Sequence, residues 1–353
     1  MDSSFDFAYK LGSGRLIFEH GALRHLGSEA RRHGHRALVI AGEHAWQTAG
    51  EAVSHSLWET GFPFVCEQYA GACSEEKAHD IARRCREEGF DLLIGVGGGR
   101  MMDLIKMGAA VAGLPVLTVP TIAATCAAYT PLSVVYTPEG ACRGSWYLRD
   151  EVQGVICDLD VLCRQPSRCL AAGILDSMAK YIEIQHYREM DVSRRADLMT
   201  AAMLAEMMYR ELSVRGQEAV EELAEGKPSE AVERCVFHTI VTTGLISGMA
   251  RGQHQSALAH ALYEALRSLH TRDCAGYLHG ELVAVGLLLE ARYTGLPEEE
   301  ACVRGMLEKW GLPTSLAALG VGVDAQRQAL ACHPTVTKYG DANRVLEILN
   351  ELA

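Results

Sequence analysis

The sequence has few of the features that mark membrane, secreted and nucleic-acid-binding proteins. No stretch approaches the roughly 20 apolar residues of a membrane span. The acidic segment at residues 1–6 lacks the apolar core of a signal peptide. None of the 12 cysteines forms a CxxC pair, which favours reduced, buried thiols over disulfides or a structural zinc. The net charge of −12 disfavours nucleic acid and anionic membranes as partners. We therefore expect a cytoplasmic protein that binds neither.

What the chain does contain predicts two domains, an α/β domain at residues 1–160 and a helical one at 161–353. Its 353 residues and 48% apolar content suit two packed cores. In the first part, strand-like and helix-like segments alternate, which indicates a mostly parallel sheet covered on both faces. Predicted strands cover residues 37–41, 64–69, 92–96, 115–119, 132–136, 142–148 and 154–158. Predicted helices there cover 44–60, 75–88, with Ser74 as cap and Gly89 as stop, and 102–112. Helical periodicity then covers 168–186, 194–213, 228–249, 256–269, 281–293, 297–309 and 342–352.

A glycine run follows the apolar strand at residues 92–96. Gly97, Gly98 and Gly99 lie between that strand and a predicted helix. Glycine lets a phosphate approach the backbone closely, and the helix start offers free N–H groups and a positive dipole end. A side chain at Gly98 would therefore exclude a phosphate, and the position is expected to need a positive φ. Asp103 can cap the turn or bind a ribose, although a tight turn without ligand explains the same pattern.

Two threonines follow the next predicted strand, where an open α/β sheet binds its ligands. Thr121 and Thr125 offer hydroxyl groups there. They also suit the cap of a helix, and one threonine can serve both purposes.

One carboxylate and two imidazoles in the helical part form a candidate metal site. Asp176 lies among small residues on an apolar helix face and needs a donor, a cation or a metal. His260 and His279 lie on two successive predicted helices. Such a set suits zinc, iron or manganese and leaves room for a substrate oxygen. The alternatives are an i,i+4 ion pair of Asp176 with Lys180 and ordinary core histidines.

In combination, these motifs resemble the iron-containing alcohol dehydrogenase superfamily, and within it the glycerol dehydrogenase branch. The resemblance runs from about residue 13 to about residue 313. The matching segments are Gly95-Val96-Gly97-Gly98-Gly99, Val119-Pro120-Thr121-Ile122-Ala123, Leu132-Ser133-Val134-Val135-Tyr136, Ala172-Gly173-Ile174-Leu175-Asp176, Ala259-His260-Ala261 and Leu278-His279-Gly280-Glu281.

The resemblance implies a fold, two cofactors and a set of site residues. The fold is a Rossmann-like α/β domain with a parallel sheet plus an all-α domain, the architecture of dehydroquinate synthase. The cofactors are NAD or NADP and one divalent metal, zinc or iron, held by Asp176, His260 and His279. The chain would act on a small-molecule substrate and form a homo-oligomer. The implied cofactor-binding residues are Gly42, Gly97, Gly98, Gly99, Arg100, Asp103, Thr121, Ala124, Thr130, Leu132 and Tyr136.

Three positions depart from the glycerol dehydrogenase pattern. Cys126 stands where that branch carries an aspartate near the substrate, and its surroundings resemble the hydroxycarboxylate dehydrogenases, which reduce 2-oxo acids. Gly42 leaves room for a 2′-phosphate, whereas Glu43 beside it can select a 2′-hydroxyl. Tyr263 replaces a second histidine.

The leading hypothesis is therefore a metal-dependent dehydrogenase that acts on the CH–OH group of a small polyol or 2-hydroxy acid, with the 2-hydroxy acid favoured. A lyase resembling dehydroquinate synthase is a rival, disfavoured because no cluster of cationic side chains lies between Asp176 and His279. A non-catalytic relative is another.

Overall fold

The computed structural model describes residues 9–137, 140–187, 195–251 and 255–352. Their strands are β1 (Leu16–Glu19), β2 (Ala37–Ala41), β3 (Phe64–Gln68), β4 (Leu92–Gly97), β5 (Val116–Pro120), β6 (Leu132–Tyr136), β7 (Cys142–Tyr147) and β8 (Gly154–Asp158). Six of them form a sheet of order β1-β8-β5-β4-β2-β3, in which every pairing is parallel. Strands β6 and β7 form a separate antiparallel pair. The predicted parallel sheet is thus confirmed.

Helices separate the first five strands and make up nearly all regular structure after β8. In the α/β part they are α1 (Leu26–His33), α2 (Glu43–Glu59), α3 (Glu75–Glu88) and α4 (Gly99–Ala112). The remainder are α5 (Leu159–Leu162), α6 (Ser167–Ile184), α7 (Ala196–Ala224), α8 (Glu230–Phe237), α9 (Thr243–Met249), α10 (Leu258–Leu269), α11 (His279–Thr294), α12 (Pro297–Lys309), α13 (Asp324–Ala331), α14 (Pro334–Thr337) and α15 (Ala342–Glu351). No helix among the described residues is long and apolar enough to cross a membrane.

The elements of the α/β part follow from local sequence rules. Strands β2 and β4 are buried along their whole length, as their unbroken apolar runs require in a sheet covered on both faces. Helix α3 begins after Ser74, whose hydroxyl accepts the Lys77 N–H, and ends at the left-handed Gly89, as predicted. Helix α4 begins at Gly99, earlier than predicted, because Gly98 is its extended N-cap and accepts the first helical N–H groups.

Some helices differ from their predicted bounds, and several elements were not predicted. Helix α7 continues to Ala224, and residue 194, the predicted start of that helix, lies outside the described residues. The helix predicted at 228–249 is interrupted by a π-helical turn at His238–Thr242. β-Branched residues crowd this turn, and Thr243 donates its hydroxyl to the His238 carbonyl, which favours a local change of winding. The unpredicted strands and α-helices are β1, α1, α5, α13 and α14.

The chain reverses its direction across the sheet between β2 and β4, which creates a crevice at their carboxyl ends. The loop after β5 enters the same region, because the Thr121 N–H donates to the Gly97 carbonyl at 3.0 Å. This loop also rests on helix α6, where a Cβ added to Gly173 would lie 2.0 Å from the Ala123 carbonyl oxygen. The glycine turn, formed by Gly97, Gly98 and Gly99, therefore adjoins the helical part of the chain.

Candidate metal centre and cofactor cleft

Three closely packed helices carry the predicted metal ligands. Asp176 lies in the middle of α6, His260 in the first turn of α10 and His279 at the first residue of α11. Glycines allow the close packing: a Cβ on Gly280 would lie 1.8 Å from the Ala172 carbonyl oxygen of α6, and one on Gly286 would lie 2.5 Å from the Ala259 carbonyl oxygen of α10. Gly280, the second residue of α11, is thus required for the packing of α11 on α6.

The three side chains converge on one point. Each offers a ligand atom, and these atoms all lie within 4.8 Å of one another. Asp176 Oδ1 lies 3.2 Å from His279 Nε2 and 3.5 Å from His260 Nε2. One carboxylate oxygen and two imidazole nitrogens form a donor set that suits zinc or iron and leaves coordination positions open. The residues present therefore fit a divalent metal. The i,i+4 ion pair of Asp176 with Lys180, the alternative considered above, does not form.

A second carboxylate on α6 holds His260 in place. Glu183 is fully buried and lies 2.5 Å from His260 Nδ1. It also accepts the backbone N–H groups of Ala257 and His260, at 2.6 and 3.0 Å, and so caps α10. A carboxylate on one imidazole nitrogen directs the other toward a metal. Glu183 was not predicted, although it lies two helical turns after Asp176 on the same face.

The charges of the cluster are strongly coupled. Burial disfavours ionisation of Asp176, but the two imidazoles hold the pKa of its carboxyl well below the usual range. Burial also disfavours the imidazolium of His260, yet Glu183 and Asp176 raise its pKa to about 9. A metal that bound here would compete with a proton for these imidazoles.

The glycine turn forms the other wall of the cleft. Gly98 has an ordinary φ of −87°, so the expected positive φ at this position is wrong. Space is the constraint instead, because a Cβ on Gly98 would lie 2.7 Å from Ile122 Cδ1 and one on Gly99 would lie 2.8 Å from Thr125 Oγ1. The turn packs against the loop after β5, which leaves its N-terminal N–H groups facing the crevice.

Other predicted cofactor residues surround this turn. Gly42 follows β2 and donates its N–H to the Val96 carbonyl at 3.1 Å, and a Cβ there would make an ordinary contact with Ala45 Cβ at 3.8 Å. Arg100 is exposed in the first turn of α4. The other predicted cofactor-binding residues lie in the segment that follows β5. Of these, the buried ones are Thr121, Ala124 and Thr130, and the partly buried ones are Leu132 and Tyr136. Their contacts with a dinucleotide stay predictions.

Asp103 lies beneath the turn, next to a buried lysine that the sequence analysis did not single out. Lys106 Nζ lies 3.2 Å from Asp103 Oδ1 and donates to the carbonyls of Thr130, at 2.9 Å, and Leu132. Burial raises the pKa of the Asp103 carboxyl, while the charges of Lys106 and His279 offset part of this rise. The loop after β5 contacts both the glycine turn and helix α6, so the start of α4 adjoins the helix that carries Asp176.

Two tyrosines connect the cofactor side to the metal side. The hydroxyl of Tyr136 lies 3.1 Å from that of Tyr263. The Tyr263 ring packs edge-on against His279, with ring centroids 4.2 Å apart. Tyr263 therefore packs against the imidazole of a candidate ligand, at a position where the glycerol dehydrogenase pattern has a histidine.

Cys126, in the loop after β5, carries an uncharged thiol. Its side chain is partly buried, and burial raises the pKa of the thiol to about 11. The negative Asp176 adds to this rise, and two lysines, Lys180 and Lys106, oppose it. A neutral group therefore occupies this position at neutral pH.

The geometry agrees with what the chain resembles among known proteins. The model of the iron-containing alcohol dehydrogenase family matches residues 13–151. A glycerol dehydrogenase of Thermotoga maritima is 32% identical over 315 residues, covering 87% of this chain and 84% of that protein. Hydroxycarboxylate dehydrogenase A of Escherichia coli K12 is 30% identical over 299 residues, covering 84% and 80%.

The fold comparison gives the same result. The crystal structure of a probable glycerol dehydrogenase from Sinorhizobium meliloti 1021 has a TM-score of 0.84 and 25% identity, with 98% of this chain and 97% of that chain covered. A parallel sheet with a glycine turn, joined to helices that present a carboxylate and two imidazoles, defines a dehydrogenase-like class of protein. The chain belongs to the iron-containing alcohol dehydrogenase family.

Proposed function

We propose that the chain is a metal-dependent NAD(P) oxidoreductase that transfers a hydride between a nicotinamide and the CH–OH or C=O group of a small 2-hydroxy or 2-oxo acid. The observation that carries the proposal is the position of the metal donor set. Asp176, His260 and His279 converge on one point, and the loop after β5 contacts both the glycine turn and α6, which carries Asp176, so a cofactor and a substrate oxygen would share one cleft.

The residues divide the work between the two walls. Asp176, His260 and His279 would hold the metal, which when bound supplies a Lewis acid for the substrate oxygen. Glu183 keeps His260 Nε2 pointed toward the ligand site by accepting from Nδ1. The glycine turn would hold the cofactor pyrophosphate at the N-terminus of α4. The chain would need no covalent nucleophile, because a bound nicotinamide would supply the hydride chemistry.

Cys126 supports an acid as the substrate. An aspartate there would face a substrate carboxylate, and two like charges about 4 Å apart cost about 4 kcal/mol at an effective dielectric near 20. The raised pKa of the Cys126 thiol removes that repulsion. The similarity to hydroxycarboxylate dehydrogenase A supports the same substrate class. The glycerol dehydrogenase relative makes a polyol the alternative.

A substrate panel tests the proposal. The purified protein is assayed with polyols and 2-oxo acids, with NAD(H) and NADP(H), and with and without added zinc or iron. We expect 2-oxo acid reduction to exceed glycerol oxidation and to be lost with a chelator. A much higher rate with glycerol than with every 2-oxo acid would contradict the substrate assignment.

Two other outcomes would indicate the rival hypotheses. A protein that purifies without metal and is indifferent to chelators would be a non-catalytic relative. Turnover without net oxidation of a substrate would indicate a lyase. The same panel tests the opposing expectations from Gly42, which leaves room for the 2′-phosphate of NADP, and Glu43, which can select the 2′-hydroxyl of NAD. The ratio of the kcat/KM values with the two cofactors measures this preference.

A further inference from the structure

We propose that Lys180 is the substrate-binding cation that receives the carboxylate of a 2-oxo or 2-hydroxy acid and so determines the preference for acids. This inference rests on the proposed function and deepens it, because it assigns a recognition group that the metal cluster and the glycine turn do not supply.

The position of Lys180 on α6 brings it to the metal cluster. It follows Asp176 by one helical turn and precedes Glu183 by one, so the three side chains lie on one face of the helix. Helix α6 also packs on the loop that carries Cys126, since a Cβ on Gly173 would lie 2.0 Å from the Ala123 carbonyl oxygen. Lys180 therefore shares a helix face with a candidate metal ligand, on the helix that the Cys126 loop contacts. In agreement with this placement, the Lys180 charge opposes the rise in the pKa of the Cys126 thiol.

Lys180 is buried without a counter-charge in the described part of the chain. Only 8% of the residue is exposed. It forms no ion pair or hydrogen bond with another described residue, because Asp176 faces His260 and His279 and Glu183 faces His260. A mostly buried lysine without an anionic partner is costly, and a ligand that supplies an anion would offset that cost.

The anion must be short and close to the reacting carbon. Side chains one helical turn apart have Cβ atoms about 5–6 Å apart, so an anion at Lys180 sits next to an oxygen held at Asp176. A 2-oxo acid carries its carboxylate on the carbon adjacent to the carbonyl, which matches this spacing. Glycerol has no charge to offer. Cys126 completes the arrangement, since an aspartate there would pair with Lys180 and occupy it.

Paired ligands of equal size test the charge directly. Oxamate carries one carboxylate and oxamide none, and both resemble a 2-oxo acid. Their dissociation constants are measured by calorimetry on the zinc- and NADH-loaded protein. The variants are Lys180→Met, which removes the charge, and Lys180→Arg, which keeps it. Lys309→Met, at an exposed ion pair with Glu221 on the surface, is the matched control.

We expect Lys180→Met to weaken oxamate binding about 30-fold or more and to leave oxamide binding within about threefold. Zinc content and NADH affinity should not change. Lys180→Arg should retain most of the oxamate affinity, and Lys309→Met should match the wild type. If Lys180→Met does not fold, Lys180→Gln takes its place.

Three results would overturn the assignment: equal losses for oxamate and oxamide, an unchanged oxamate affinity, or a larger loss for glycerol phosphate than for oxamate, which would indicate a phosphate-binding group. Failure of the proposed function is distinguishable, because a wild type that ignores oxamate and oxidises glycerol contradicts both. A wild type that reduces 2-oxo acids, with a Lys180→Met variant of unchanged KM, contradicts the Lys180 proposal alone.

Discussion

The cleft has two sides, the cofactor wall around the glycine turn and the metal wall formed by α6, α10 and α11, and each side buries a lysine. The two lysines differ in the partners that surround them. Lys106, beneath the glycine turn, donates to two backbone carbonyls and faces Asp103. Lys180, beside the metal cluster, has no such partner among the described residues. A buried cation with full partners ties elements together, whereas one without partners is available to a ligand. The protein itself therefore supplies the partners of Lys106, whereas an anionic partner of Lys180 would come from a ligand.

The walls also differ in how they are built. The cofactor wall uses backbone groups from short, neighbouring segments of the chain. The metal wall uses side chains from three helices that meet only in the tertiary structure. Damage to one wall should therefore leave the other intact, and the following predictions test that separation.

The largest effect is expected at the metal wall. His279→Ala removes one of three ligands and should lower turnover at least about 1,000-fold, with loss of bound metal. NAD(H) affinity should stay near that of the wild type, because the glycine turn is untouched. Elemental analysis and calorimetry measure the two properties, with the exposed His55→Ala as control. A variant that keeps its metal and its activity would contradict the ligand assignment.

The next effect is expected at the cofactor wall. Gly98→Val places a branched side chain between the glycine turn and Ile122, in the space that we expect the cofactor phosphate to need. It should weaken dinucleotide binding more than tenfold, a loss of about 1.4 kcal/mol or more, and leave the metal content unchanged. Gly305→Val, where a side chain meets open space, is the control.

A double variant separates a phosphate clash from a packing clash at this glycine. Adding Ile122→Ala removes the neighbour that the new side chain meets. Dinucleotide affinity should stay low if the phosphate needs that space. Recovery of affinity in the double variant would show that the glycine serves packing alone.

Stability should distinguish the two lysines. Lys106→Met leaves two carbonyls and Asp103 without their donor and should lower Tm by about 5 °C or more. Lys180→Met removes an unpaired buried charge and should raise Tm by about 2 °C in the ligand-free protein. Calorimetric scans of both variants measure the difference. Equal losses of Tm would show that Lys180 is a structural group like Lys106.

The sequence predicted individual strands and helices more completely than the contacts between them. Strands β6 and β8 and helix α12 have their predicted bounds, because alternation, turns and caps act over a few residues. The three candidate metal ligands were selected from residue types and family resemblance, and the structure brings their side chains together. Glu183 and Lys180 were not assigned these roles, because their partners lie on other elements. The i,i+4 alternative for Lys180 is wrong for the same reason: Asp176 faces imidazoles from α10 and α11.

The smallest effect is expected away from both walls, at a carboxylate whose partners are complete. Glu211 on α7 accepts from Arg234, and His238 Nε2 lies 3.1 Å from its other oxygen. The Arg234 hydrogen bond, against some opposing burial, lowers the pKa of Glu211 from 4.5 to about 2. A depressed folded-state pKa stabilises the protein above the unfolded pKa, and this contribution is lost as the pH falls toward 2.

A variant and a pH series measure this contribution. Glu211→Gln should lower Tm by about 2 °C at pH 7, a small value because Arg234 is exposed to solvent. The difference from the wild type should shrink as the pH falls from 4.5 toward 2. Activity and oxamate affinity should not change, because Glu211 lies outside the cleft. A Tm difference that is constant with pH would mean that packing, and not charge, is what Glu211 contributes, and a loss of oxamate affinity would connect α7 to the metal wall.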